Sequence, residues 1–361
     1  MKDFTFYSPT KVYMTVNFYD VFKKEIVKYN KIALVCGKTA AYKTGFVDFL
    51  KEIKGDNLFI FDEIEENPSI NTVIKGGRFV RQNRCDLIVA FGGGSSLDAA
   101  KAIAAFATNN MGFYELLSQN GLPNPPIPIF AIPTTCGTGS EVNHYAIITD
   151  YEKNDKINFG KTANFPKKAF LNPEFLETLD ENLIFATAFD ALTHAFEGYL
   201  SVKANPFSDL LAKEAMNNIC NVLKDNDLDK EHLKLLLYSS TIAGTVIMHT
   251  ATTLLHAMGY YLTNNKNIHH GTANFLLLPV YMKMLRFYKV GKLLSINEIV
   301  DNIEGLVEKY TEIFNVDLRK LFTEEELKKL SKYAMGKNNV KNTLFQTTEE
   351  KLFEFLADYI L

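Results

Sequence analysis

The sequence predicts a chain in two parts, an α/β half built on a parallel sheet and then a half that is helical throughout. Three observations lead there. Short apolar runs alternate with helix-length stretches over residues 31–132, and turns rich in glycine and hydroxyl groups follow two of those runs. From Asn172-Pro173 onward apolar residues recur with a helical period, and the glycine clusters largely disappear.

Taken in order, Lys31–Cys36 (KIALVC), Leu58–Phe61 (LFIF), Asp86–Phe91 (DLIVAF) and Ile127–Ile132 (IPIFAI) suit strands buried on both faces. Helices are expected between them, at Gly45–Ile53 and at Ile70–Asn83, the second preceded by the breaker Asn67-Pro68. A second β-rich piece follows, with Tyr145–Thr149 and Lys168–Leu171 on either side of a charged turn, Asp150–Lys156. Long helical periods then cover Leu210–Leu223, His232–Met248 and Asn302–Phe314. The expected domains are therefore 1–180, α/β, and 181–361, all-helical. There is no internal repeat and no low-complexity segment.

Composition narrows the function classes. A hydrophobic content of 47% and a charged content of 22% are ordinary for a globular protein. A formal net charge of −3 gives no electrostatic case for a nucleic-acid or membrane partner. The start, MKDFTFYSPTKVYM, is too polar for a signal peptide, and no apolar run approaches the ~20 residues of a transmembrane helix. Cys36, Cys85, Cys136 and Cys220 are scattered without a CxxC pair, which suits reduced thiols in a cytoplasmic protein.

The stretch 86–101, DLIVAFGGGSSLDAAK, runs a buried strand into Gly92-Gly93-Gly94-Ser95-Ser96, with a helix expected to begin around Leu97-Asp98. Glycines let a ligand approach the backbone, and a helix N-terminus offers N–H groups to an anion. It is neither GxGxxG nor a P-loop, and alone it fits a bare turn as well as a pyrophosphate cradle. A second donor-rich turn, Pro133–Glu141 (PTTCGTGSE), follows IPIFAI. Ligands of open α/β sheets bind beyond the carboxyl ends of strands, so two such turns point to one phosphate-bearing cofactor.

The seven histidines are informatively placed. Residues 188–200, AFDALTHAFEGYL, set Asp190 and His194 on one stripe of an apolar helix. His256 lies in another apolar helical run, and His270 opens the next helix beside Gly271. Together they offer one carboxylate and three imidazoles, a set suited to Fe²⁺ or Zn²⁺ with room for a substrate oxygen. His269 competes with His270, and His144, His232 and His249 are weaker competitors. Singly, each histidine on an apolar face reads more readily as a satisfied core residue.

The segments GGGSSLDAAK, PTTCGTGSEV, FDALTHAFEGYL and LLHAMGYYLTNNKNIHHG, in that order, resemble the iron-containing (group III) alcohol dehydrogenase family. The resemblance runs from about residue 5 to at least residue 280. It implies a Rossmann-like dinucleotide-binding domain and an all-helical domain, the architecture shared with dehydroquinate synthase, with cofactor and metal in the cleft between. It implies the metal ligands Asp190, His194, His256 and His270, which selects His270 over His269. It implies a pyrophosphate loop at Gly93, Gly94, Ser95 and Asp98, and nicotinamide-side contacts at Thr134, Thr135, Thr138, Tyr145, Lys156 and Leu183. The expected activity is hydride transfer between NAD(P)H and a small primary alcohol, aldehyde or diol, by a cytoplasmic homodimer.

Two departures from the family pattern stand out. Many members carry a histidine four residues after the third ligand, and here that position is Tyr260, a candidate proton relay alongside His249 and a water chain through the ribose hydroxyl. NAD-preferring members place an acid after the first strand, whereas Cys36-Gly37-Lys38-Thr39-Ala40 has none. Gly37 leaves room for a 2′-phosphate that Thr39, Lys38 or Lys43 would bind, so NADP(H) is expected over NAD(H), with Fe²⁺ as the metal and Zn²⁺ as its alternative. The rival functions are glycerol dehydrogenase-like polyol oxidation, a metal-dependent lyase resembling dehydroquinate synthase, and a non-catalytic nucleotide-binding protein.

Overall fold

A computed structural model describes residues 3–153, 155–225 and 228–361. Met1 and Lys2 of the polar start and Asn154 of the charged turn lie outside the described residues. Those residues form two compact units: Tyr7–Leu179, and Asp180–Leu361 together with the segment ending at Phe6.

In the first unit, six of the described strands build one parallel sheet. They are β1 (Lys11–Met14), β2 (Ile32–Cys36), β3 (Leu58–Phe61), β4 (Leu87–Gly92), β5 (Ile129–Pro133) and β8 (Lys168–Leu171), in the order β1-β8-β5-β4-β2-β3. β6 (Ile147–Asp150) and β7 (Asp155–Asn158) make a separate antiparallel hairpin. The residues expected to form one charged turn therefore split, with Asp155 and Lys156 paired in β7 opposite Asp150 and Thr149. β1 was not foreseen; its KVYM pairs with Lys168–Leu171 far along the chain.

Strand period two sorts the core. Ala33, Val35, Ile88 and Ala90 face the helices Ile70–Gln82 and Gly94–Thr108. Ile32, Leu34, Leu87, Val89 and Phe91 face the helices Phe18–Ile26 and Phe46–Lys54. The second face is dominated by aromatic rings: Phe22 lies 4.9 Å from Phe170 and 5.5 Å from Phe46, both edge-on. Because Phe22 is fully buried, Phe22→Leu is expected to lower unfolding stability by about 1–3 kcal/mol, measured by urea denaturation.

The order of the strands also fixes where a ligand belongs. From β2 the chain moves outward to β3, whereas from β4 it moves the other way to β5. β2 and β4 are neighbours, so the connections diverge at their carboxyl ends and open a crevice there. The turn at Gly37 and the glycine run 92–94 both lie at those ends.

The second unit is helical. Glu181–Tyr199 is capped by the Asp180 carboxylate on Asn182 N–H, and every residue from Ile184 to Tyr199 is buried. Pro206–Lys224, Lys230–Thr250 and His270–Phe287 pack around it, which is why the helix is apolar on all sides. Leu254–Lys266 and Asn297–Phe314 complete the surroundings of the metal-ligand candidates. Among the described residues no helix is long and apolar enough to cross a membrane.

Candidate active site

Three elements of the helical unit bring the ligand candidates together. Asp190 and His194 come from Glu181–Tyr199, His256 from the first turn of Leu254–Lys266, and His270 from the first residue of His270–Phe287. Ligand atoms of Asp190, His194 and His256 all lie within 4.8 Å of one another, and the three residues are buried. The Nε2 atoms of His194, His256 and His270 stand 3.7, 3.6 and 3.9 Å from Asp190 Oδ1. Donors bound to one ion at about 2.1 Å in a tetrahedral arrangement would be roughly 3.4 Å apart. The three distances to Asp190 are therefore only a few tenths of an ångström wider than a filled site requires, and a buried carboxylate with imidazoles around it is a donor set that fits a divalent metal.

His270 is the open side of the cluster, with 25% of its side chain exposed. Its helix can approach only because residue 271 is glycine. A Cβ there would fall 1.9 Å from Ala186 O and 3.0 Å from Asp190 Cβ. Tyr260 lies against the same imidazole, stacked at 5.0 Å between ring centroids.

The charge balance points the same way. Burial alone would raise the Asp190 carboxyl, but the His194, His256 and His270 imidazoles outweigh it and hold the group below the ordinary carboxylate range. Burial alone would lower His256, yet Glu197 and Asp190 raise it to about 9. Asp190 faces all three imidazoles and Glu197 backs His256, so the cluster carries the negative charge to hold a cation.

Glu197 is the residue that sequence reasoning missed. It is fully buried. Its Oε1 accepts from Thr253 N (2.8 Å), Thr253 Oγ1 (2.5 Å) and His256 N (3.2 Å), and its Oε2 accepts from His256 Nδ1. One carboxylate thus satisfies N–H groups at the start of the His256 helix and fixes that imidazole with its Nε2 lone pair toward the cluster. His270 is oriented in the same manner. Thr263 donates its hydroxyl hydrogen to Gly259 O, which leaves its oxygen to accept from His270 Nδ1 at 3.3 Å. A signal for Glu197 was present, because it follows His194 by three residues and Asp190 by seven on the same helical stripe.

The other histidines stand apart from this cluster. His269 is exposed at the N-cap position of the His270 helix. His232 sits between Asp225 and Asp229 at 3.6 and 3.2 Å. His249 stacks on Phe6 at 4.2 Å. His144, in the α/β unit, is pushed down to about 4 by burial and by Lys101.

In the α/β unit the glycine turn is tighter than expected. The helix begins at Gly94 rather than near Leu97, because Gly92 takes φ +142° and Gly93 is already the extended cap. Gly94 and Ser95 therefore lie in its first turn. A Cβ on Gly94 would meet Thr138 Cγ2 at 2.6 Å, and one on Gly93 would meet Thr135 Cγ2 at 3.1 Å. These glycines bring the two donor-rich turns against each other, and Thr134 N–H bonds Gly92 O at 3.0 Å.

Asp98 is occupied within the protein. Its Oδ1 accepts from Ser140 Oγ and faces Lys101 Nζ at 3.5 Å, while Oδ2 accepts from Ile147 N at 2.9 Å. Lys101, fully buried, also donates to Ser140 Oγ and to Tyr145 O, both at 2.6 Å, which joins the helix after the first turn to the second turn. Asn67, in the left-handed region at φ 57°, receives Lys156 Nζ at 2.8 Å and gives its N–H to Ser95 Oγ at 3.2 Å. Lys38, Thr39 and Lys43 are exposed around Gly37. Asp62 follows β3, the neighbour of β2, and accepts from Tyr42 OH at 2.6 Å, so an acid absent from the Gly37 turn stands just past the end of the adjoining strand. Leu183 lies in the helical unit, in the first turn of Glu181–Tyr199.

Comparison with known proteins agrees with this arrangement. The family model for iron-containing alcohol dehydrogenase matches residues 9–173, and that for the C-terminal domain of the family matches residues 184–358. The chain is 32% identical over 302 residues to the NADPH-dependent butanol dehydrogenase of Clostridium saccharobutylicum, covering 78% of each. It is 31% identical over 288 residues to the NAD-dependent methanol dehydrogenase of Bacillus methanolicus, covering 76% of this chain and 74% of that one. A solved iron-containing alcohol dehydrogenase from Thermotoga maritima superimposes with a TM-score of 0.86 at 35% identity, covering 99% of both chains. With both family models matched and a buried cluster able to hold a divalent metal, the chain belongs to the iron-containing alcohol dehydrogenase family and is an NAD(P)-dependent alcohol dehydrogenase.

Proposed function

We propose that this enzyme interconverts small primary alcohols or diols with their aldehydes, using NADP(H) in preference to NAD(H) and a metal held by Asp190, His194, His256 and His270. Fe²⁺ is the proposed ion, with Zn²⁺ able to occupy the same donors. The observation that carries the reading is the convergence of Asp190, His194 and His256 in a buried pocket, with His270 Nε2 beside them. When bound, the metal supplies a Lewis acid for the substrate oxygen, and the nicotinamide supplies or accepts the hydride.

The chain's own residues do the rest. Asp190 contributes the negative charge, and Glu197 and Thr263 hold His256 and His270 with Nε2 forward. The apolar walls of the Glu181–Tyr199 helix exclude water from one side. Tyr260, stacked on His270, stands where the family pattern often has a histidine, and we assign it to proton transfer. Tyr260→Phe is expected to lower kcat about 10²-fold or more and to remove one limb of the pH–rate profile; an unchanged profile would reject that role. Small primary alcohols are favoured by the activities named for the butanol and methanol dehydrogenase relatives.

The cofactor preference rests on Gly37 and the exposed Lys38, Thr39 and Lys43, with Asp62 already engaged by Tyr42. The direct test is kcat/KM for a series of aldehydes with NADPH and with NADH. NADPH is expected to be preferred, and Gly37→Asp is expected to lower the NADPH/NADH ratio at least ~10-fold by placing a carboxylate against the 2′-phosphate. A parent enzyme faster with NADH would reject the preference.

A further inference from the structure

One buried side chain in the metal cluster is not explained by ligation. We infer that Asn274 is a positioning residue of the metal centre, whose amide keeps Asp190, His256 and His270 converged for one divalent ion. The inference rests on the reading of those residues as ligands.

Asn274 follows His270 by one helical turn, so both side chains occupy one face of the helix. It is fully buried. Its Nδ2 stands 3.3 Å from Asp190 Oδ1, 3.2 Å from His256 Nε2 and 3.2 Å from His270 Nε2. In the neutral form that a metal site requires, with both Nδ1 hydrogens given to Glu197 and Thr263, the two imidazoles present lone pairs at Nε2. A single NH₂ group therefore faces three acceptors that would otherwise repel one another. The other end of the amide is the telling part. Among the described residues Oδ1 has no hydrogen-bond partner, an arrangement native proteins rarely keep. Leucine would fill a similar volume and leave no orphaned acceptor. Packing alone therefore does not account for an amide here, and the contacts at its nitrogen do.

Gly259 supplies the space. A Cβ at that position would fall 1.8 Å from Asn274 Oδ1, so the His256 helix must be bare there to admit the amide. Residues 259 and 274 thus form one unit next to the ligands without either being a ligand. Holding the donors together before the ion arrives lowers the cost of assembling the site.

The test uses metal-free protein titrated with Zn²⁺ against a chelating dye, with the visible spectrum of the Co²⁺ form and the thermal unfolding of the metal-free form as companion measurements. Asn274→Leu is expected to weaken Zn²⁺ binding by about 10–100-fold and to shift the Co²⁺ bands, with metal-free stability unchanged or higher. Gly259→Ala, which displaces the amide and touches no ligand, is expected to shift the same bands. Its effect combined with Asn274→Ala is expected to fall short of the sum of the two. Zn²⁺ affinity within twofold of the parent in Asn274→Leu would overturn the inference, as would a loss of affinity matched by an equal loss of metal-free stability. A parent protein that itself binds no Zn²⁺ would overturn the underlying reading and the inference with it.

Discussion

His256→Ala is expected to abolish metal binding and hydride transfer together, lowering kcat/KM by at least ~10³. The imidazole is buried, its Nε2 lies 3.6 Å from Asp190 Oδ1, and its ring stacks on His194 at 4.8 Å. Removing it deletes one donor and leaves Glu197 Oε2 without the hydrogen it accepts. The cofactor residues proposed above, apart from Leu183, lie in Tyr7–Leu179 and are not touched by the change. NADPH affinity, read by the change in NADPH fluorescence on binding, is therefore expected to stay within a few-fold of the parent. An active His256→Ala enzyme that holds no metal would contradict the assignment.

Glu197→Gln is expected to weaken metal binding by about 10–100-fold without removing any ligand. The glutamine oxygen can still accept from Thr253 N and His256 N. Its NH₂ would then face His256 Nδ1, which must become the acceptor, and the hydrogen moves to Nε2, where the metal should bind. Glu197→Ala is more damaging to the fold. It leaves the N–H groups of Thr253 and His256 and His256 Nδ1 without their acceptor in a buried space, while the Thr253 hydroxyl keeps Tyr281 OH, at a cost of about 3 kcal/mol or more. Metal affinity and urea denaturation of the two variants separate these effects. Glutamine should act chiefly on affinity and alanine on both. Equal metal affinity for Glu197→Gln and the parent would show that Glu197 serves only the fold.

Legibility of the fold followed burial. KIALVC and DLIVAF announce their strands because β2 and β4 are buried on both faces and carry no polar alternation. KVYM lies at the sheet edge, half exposed, and depends on β8 from far along the chain, so nothing local marks it as a strand. DKIN is polar and becomes β7 only by pairing with Ile147–Asp150. The glycine turn was visible as a turn, but its helix start depended on Gly92 at positive φ, which three successive glycines leave open.

The candidate site was legible in part for a related reason. The i, i+4 pair Asp190 and His194 marks its own helix, whereas His256 and His270 join it only through tertiary packing and, in the sequence, only through resemblance to a family. Glu197 and Lys101 looked like ordinary charged residues and prove to be fully buried hubs of hydrogen bonds. Their partners, Thr253 and Ser140, lie far away in the chain. Asp62 escaped notice because it follows the neighbouring strand β3 rather than lying in the Gly37 turn.

The most direct measurement is anaerobic reduction of a short aldehyde by NADPH, with the metal content determined on the same sample. The enzyme stripped by a chelator is expected to lose activity, to keep binding NADPH, and to recover when about one Fe²⁺ or Zn²⁺ per chain is returned. Full activity in the metal-free protein would contradict the account.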